Sequence, residues 1–333
     1  MFTSRIALVS LPAFLFAALF AVSAAAQTTV ATVELPQGSC CYVAVNPALN
    51  KIYVSGGASS GQVVFVVDGE TLKGESAGTG SGVSIDAKTG NYWAATVYGG
   101  SAIVRRGNDN LEVNTVAASE GCPVSTAVDS KARRAWVATQ CGAGSDPVFA
   151  YDADSFAPLA GPIRSGGVLG TAVVNPATGR LYIGPSGQSR RVNPANFEVT
   201  DNAFGVVQAV DPDKGSLYAL SGENLQIVNG KPDPEKITAT VDLGYSPAGV
   251  VVDHALGRLY LSNPAKSCVE VRSASSGALI GTIPLDAGIN PGGLAVDSAR
   301  KRLYVLAAKE DQHLLFVIAV GATHPGAAKT RAK

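Results

Sequence analysis

The chain has 333 residues, with 26 basic and 26 acidic side chains and a formal net charge of zero. A hydrophobic content of 46% without any long charge run excludes a disordered chain. The missing basic excess argues against nucleic-acid binding through bulk charge, and 37 glycines, 18 prolines and a single methionine argue against a helical protein.

The N-terminal residues read as an address. Arg5 is the lone charge before an apolar run over residues 6–22 that Pro12 interrupts, and three alanines at 24–26 precede Gln27. This is the layout of a secretory signal peptide with a small-residue cleavage site. The alternative is an uncleaved anchor, because the run approaches the length of a membrane span. Beyond Gln27 no apolar stretch is long enough to cross a bilayer. The expectation is a signal peptide over 1–26 and a periplasmic or secreted protein with no membrane span after cleavage.

From there one pattern recurs seven times: an apolar alternation ends in Asp or Asn, a turn follows, and an aromatic comes seven residues later. The pairs are Asn46 and Tyr53, Asp86 and Trp93, Asp129 and Trp136, Asn175 and Tyr182, Asp211 and Tyr218, Asp253 and Tyr260, and Asp297 and Tyr304. Successive Asp/Asn positions are 40, 43, 46, 36, 42 and 44 residues apart. Each unit reads as four strands. The alternation before Asp or Asn is the first, and the segment carrying the aromatic, such as Lys51-Ile52-Tyr53-Val54, is the second. Val63–Asp68 exemplifies the third, and residues 237–241 and 279–283 the fourth. Asp, Asn and Pro supply the turns, because their side chains cap local N–H groups or preset φ. Four strands per unit of this length is a propeller blade. The predicted fold class is therefore all-β, a seven-bladed β-propeller of four-stranded antiparallel blades over residues 27–320. The last unit lacks a fourth strand, while residues 28–35 match that pattern and have no partner before them. The N-terminal strand is thus expected to close the last blade and remove an open edge. Residues 321–333 read as a disordered tail.

The motif Val/Ile-Asp/Asn-x-x-x-x-Arg/Lys-Leu/Ile-Tyr-Val resembles the YVTN-type β-propeller repeat. Arg180-Leu181-Tyr182-Ile183 and Arg302-Leu303-Tyr304-Val305 are its nearest copies, and Asn91-Tyr92-Trp93 departs from it by lacking the basic residue. The resemblance implies a seven-bladed propeller in an exported protein and no single shared activity. Similar folds include lactonases, amine dehydrogenase heavy chains, a streptogramin lyase, and binding or surface-layer proteins, so fold does not decide function.

The recurring aromatics are expected to pack between blades rather than stack a ligand, and the Asp/Asn series to cap turns. Cys122 and Cys141 flank the ends of two adjacent strands and are the preferred disulfide pair. Cys40 and Cys41 either form a vicinal disulfide or pair elsewhere, and Cys268 lies before a third strand. Strand topology puts all five cysteines on one face of the disc, the loop face. Arg133-Arg134 stands where other repeats carry one basic residue and reads as structural, and the pairs Arg105-Arg106 and Arg190-Arg191 read as salt-bridged strand surface in preference to an anion clamp. Of three histidines, His254 sits on the opposite face and His324 in the tail. His313, beside Glu310 and Asp311, is the one weak catalytic candidate. A ligand face is expected from the segments before each first strand: Cys40, Cys41, Tyr42, Ser81, Cys122, Arg164, Phe204, Tyr245 and Asn290. The favoured function is a non-catalytic binding scaffold for a protein or small molecule, without a cofactor. The alternatives are a lactonase- or lyase-type enzyme with a divalent cation, and the heavy-chain-like subunit of a periplasmic redox enzyme.

Overall fold

A computed structural model describes residues 29–56, 62–141, 146–166, 170–184 and 187–321. The signal-peptide segment 1–26 and, beyond Gly321, the tail lie outside the described residues. Strand β1 (Thr29–Leu35) comes first, and blade 1 follows as β2 (Tyr42–Asn46), β3 (Lys51–Ser55), β4 (Val63–Asp68) and β5 (Gly74–Thr79). Blade 2 is β6 (Ser81–Ile85), β7 (Tyr92–Thr96), β8 (Ser101–Arg105) and β9 (Glu112–Ala117). Blade 3 is β10 (Cys122–Asp129), β11 (Arg134–Gln140), β12 (Pro147–Asp152) and β13 (Pro158–Arg164). Blade 4 is β14 (Thr171–Asn175), β15 (Arg180–Gly184), β16 (Arg190–Val192) and β17 (Val199–Asp201). Blade 5 is β18 (Val206–Val210), β19 (Ser216–Ser221), β20 (Asn224–Asn229) and β21 (Lys236–Asp242). Blade 6 is β22 (Val250–Asp253), β23 (Arg258–Asn263), β24 (Cys268–Ser273) and β25 (Leu279–Pro284), and β26 (Asn290–Asp297), β27 (Arg302–Lys309) and β28 (Gln312–Ala319) form blade 7.

Each blade is a four-stranded antiparallel sheet in chain order, and the seventh is completed by β1 in the order β1-β28-β27-β26. Thr32 pairs with Phe316 and Leu35 with His313. The expected closure by the N-terminal strand is what the structure shows. Each first strand packs on the first strand of the next blade, and β26 packs on β2, so the ring is closed. Among the described residues no helix is long and apolar enough to cross a membrane.

The burial pattern explains why the strands read differently in the sequence. Second strands are covered on both faces by neighbouring blades; Tyr92–Thr96 is buried throughout. Such strands are near-continuous apolar runs. The outermost strand has one solvated face, so Lys236–Asp242 alternates exposed and half-buried.

The core lies between the blades. All seven recurring aromatics, from Tyr53 to Tyr304, are at most 1% exposed, which identifies them as blade packing. The seven Asp/Asn residues are at most 2% exposed, and they cap the turns that follow them. The Asp129 carboxylate accepts from the N–H groups of Lys131 and Ala132, and the Asp211 carboxylate from those of Asp213 and Lys214. Several also reach the next blade. Asn46 donates to the Gly90 carbonyl at 3.0 Å, Asn175 to that of Gly215 at 3.2 Å, and Ser298 donates to Asp253 at 2.8 Å. Asp86 accepts both terminal nitrogens of Arg133, at 2.7 and 2.8 Å. Each such latch gives a protein partner to a polar atom that burial removes from water.

Candidate functional site

The first strands surround a central channel whose two ends differ. At the end formed by the first-to-second-strand turns, the cavity is about 780 Å³. Its wall carries the residue just before each Asp/Asn cap: Val45, Ile85, Val128, Val174, Val210, Val252 and Val296. Lys131 and His254 stand at its rim, where His254 Nδ1 lies 2.9 Å from Asp213. At the loop face the cavity is smaller, about 390 Å³, and is lined by Cys41, Tyr42, Ser125, Thr126, Thr171 and Gln208 and by the backbones of Gly82, Gly249 and Gly293. The two cavities share Val43, Val173, Gln208, Val250 and Leu294 and form one passage. It narrows at the loop face because the blades crowd there. A Cβ on Gly82 would meet the Val124 carbonyl at 2.3 Å, and one on Gly293 the Cys41 carbonyl at 2.9 Å.

Tyr42 bars that narrow end. It begins β2 of blade 1, and its phenol donates to the Gly170 carbonyl at 3.3 Å, just before β14 of blade 4. Blades 2 and 3 lie between the partners, so the side chain crosses the channel. Burial raises the Tyr42 phenol above its ordinary value.

The expected Cys122–Cys141 disulfide is present, with 5.5 Å between Cα atoms, and of the alternatives left open for Cys40 and Cys41 the structure has the vicinal bond. They lie on the loop face, at strand starts and ends around the channel mouth. Cys268 is free, 7% exposed, and is the first residue of β24 rather than part of the loop before it. Burial, then the Glu270 carboxylate, pushes its thiol up, which keeps it protonated and unreactive.

The remaining site candidates divide by burial. Arg164 and Asn290 are exposed on the loop face, with Arg164 paired to Glu120 at 2.5 Å. Ser81 is fully buried and donates to the Val124 carbonyl at 3.4 Å. Phe204 packs in the blade 4–5 interior, its ring centre 6.2 Å from that of Tyr182. Tyr245 is 8% exposed, and burial followed by the Glu270 carboxylate raises its phenol. His313 is half-buried inside β28, opposite Leu35 and Ala308. Among the described residues no group of three His, Cys, Asp or Glu side chains is placed to hold a metal.

The arginine pairs are largely engaged by the protein itself. Arg133 bridges Asp86 and Asp154. Arg134 donates to the Pro194 carbonyl and lies over Trp136 and Phe197. Arg190 pairs with Asp201, Arg191 with Asp233 and Glu235, and Arg106 with Asp109. Arg105 donates to the Asn110 carbonyl at 3.4 Å.

One surface residue stands outside the repeat-based reading. Tyr98, in the β7–β8 turn on the loop face, is 85% exposed. The other exposed large apolar side chains, Val30, Leu111, Val113, Leu159, Leu279 and Ile280, lie on or beside outermost strands at the disc's circumference. A lone aromatic flanked by Val97 and Gly99-Gly100 was available in the sequence, but it lies off the repeat and periodicity passes over it.

No family model matches the chain, and no curated protein matches it. Solved structures do. A chain in the crystal structure of a mitotic checkpoint complex superposes with a TM-score of 0.72 at 12% identity, over 96% of this chain and 100% of that one. The β-propeller domain of Cps50 (Swd1) from Myceliophteria thermophila superposes with a TM-score of 0.67 at 12% identity, over 89% of this chain and 100% of that one. At this identity the likeness establishes the fold, a seven-bladed propeller, and nothing further.

Proposed function

We propose that the chain is an exported, non-catalytic binding scaffold of the YVTN-repeat type that engages a partner protein through its loop face. The observation that carries the reading is Tyr98. A tyrosine 85% exposed on the rim that also holds both disulfides is the kind of rigid aromatic anchor that dominates protein interfaces. Tyr42, Arg164 and Asn290 belong to the same face and complete the contact surface in this reading. The checkpoint-complex propeller, found within a protein assembly, supports use of the fold as a docking platform. Export rests on the signal-like segment over 1–26, and two disulfides suit an oxidising compartment. No cofactor is needed, and a divalent cation belongs only to the lactonase or lyase alternative.

The test is site-specific photo-crosslinking in the cells that make the protein. A photoreactive residue at Tyr98 should capture one defined protein, and the same residue at Leu111 on the circumference should not. Equal capture from both positions, or none from Tyr98, rejects the loop-face assignment.

A further inference from the structure

The channel itself is unexplained by docking at the loop face. Seven half-buried or buried Val and Ile side chains meet around a space of about 780 Å³ at the turn face, within the size range of small-molecule sites. Toward the loop face the lining changes to hydroxyl and amide groups with exposed glycine backbone. Gln208 sits in the stretch shared by both halves, and its amide has no hydrogen-bond partner among the described residues. Among the described residues, no Asp, Glu, Lys, Arg or His lines the narrow half. The charged groups near the wide half are at its rim: Lys131 is exposed, His254 faces Asp213, and Asp297 is held by Arg300 at 2.9 Å. Tyr42 bars the narrow mouth, leaving the turn face as the way in.

We propose that the channel is a binding site for an uncharged amphiphile, a molecule with a compact apolar body and one alcohol or amide end. The body lies against the valine ring, where leaving water is favourable. The polar end reaches Gln208 at the waist and the Thr171 hydroxyl in the narrow half. A charged head is rejected, because no opposite charge lies at that depth to offset its desolvation. This site does not rest on the loop-face reading.

N-phenyl-1-naphthylamine serves as the probe: it is uncharged, carries one N–H, and fluoresces strongly out of water. Titrated into the purified protein, it should saturate a single site and be displaced by 1-octanol. The anionic relative 8-anilinonaphthalene-1-sulfonate should bind at least roughly tenfold more weakly. Val210→Trp, which fills the wide half, should weaken the probe by roughly tenfold or more, and Gln208→Leu should weaken 1-octanol by about three- to tenfold. Absence of saturable binding, equal binding of the anion, or binding indifferent to Val210→Trp overturns the proposal. Should Val210→Trp fail to fold, crystals of the unaltered protein soaked in 8-bromo-1-octanol decide by anomalous scattering. Bromine in the channel upholds the site, and bromine elsewhere or nowhere overturns it. The titration needs no partner protein, so its failure and the failure of the crosslinking test are separate results.

Discussion

Asp86 shows how a single side chain can hold two blades together. Burial pushes its carboxyl up, but hydrogen bonds from Arg133, Thr89, Ser130 and the Lys88 N–H outweigh that and hold it down at about 2. Arg133 joins it from the next blade and reaches on to Asp154. Removing the charge leaves a guanidinium that is itself only 14% exposed with Asp154 as its one carboxylate partner, so Asp86→Asn should cost about 2 kcal/mol or more in urea unfolding at neutral pH. The sign of the pH dependence follows from a depressed carboxyl. Its contribution is full above the unfolded value near 3.8 and fades as pH falls toward about 2. The gap between wild type and Asp86→Asn should therefore narrow by roughly 2 kcal/mol on going from neutral pH to pH 2; a gap that stays constant assigns the linkage to another group. The cysteines give a second prediction at this scale. Cys268 is the one thiol outside a disulfide and is buried, so iodoacetamide should add nothing rapidly to the native protein. It should add one group after unfolding without reductant, and five after reduction. More than one adduct without reductant means that a disulfide is absent.

Among the strands, β1 carries the most consequence per residue, because it alone joins the two ends of the described chain. Val33 and Ala31 pack on the cluster formed with Leu315 and Val317, and Leu35 is part of it, whereas Val30 is 49% exposed on the other side. Val33→Asp should lose about 2 kcal/mol or more and leave β28 as an open edge prone to self-association. Val30→Asp should stay within about 0.5 kcal/mol of wild type. Thermal unfolding with light scattering checks both; equal effects of the two substitutions mean that β1 does not sit in the register with β28 described here. The role of this strand was legible because period-2 alternation at 28–35 had no earlier partner while the seventh unit lacked a strand. The blades were legible for the same reason: the Asp/Asn-to-aromatic interval is enforced by a buried cap and a buried ring. The loop-face residues were not. Segments before first strands are irregular, so no period tells that a side chain there turns inward, as at Phe204 and Tyr245, while Arg164 ends the fourth strand β13 and stays exposed. Tyr98 carries no sequence signature because a turn of ordinary length between two strands imposes no pattern on its tip.

At the scale of the whole ring, stability resides in seven blade-to-blade interfaces, each built from a pair of covered sheet faces, and four of them carry an Asp/Asn latch as well. A closed ring has no privileged starting blade, so the position of the chain break should matter little provided every interface survives. Ile318 pairs with Thr29, which brings residues 29 and 320 within reach of a short glycine-serine linker. The turn Pro264–Lys266 between β23 and β24 has no buried residue and is a suitable place for new ends. Blade 6 would then be assembled from both termini, as blade 7 is now. The permutant should keep the β-sheet circular dichroism of the unpermuted 29–320 segment and unfold in one transition, with a midpoint lowered by only a few degrees, on the order of 1 kcal/mol. It should also bind N-phenyl-1-naphthylamine as the parent does, because the channel wall is made by all seven first strands and none is cut. Two separated transitions would show that the β1–β28 closure stabilises the ring beyond its local pairing, making blade 7 a keystone rather than one of seven equal interfaces.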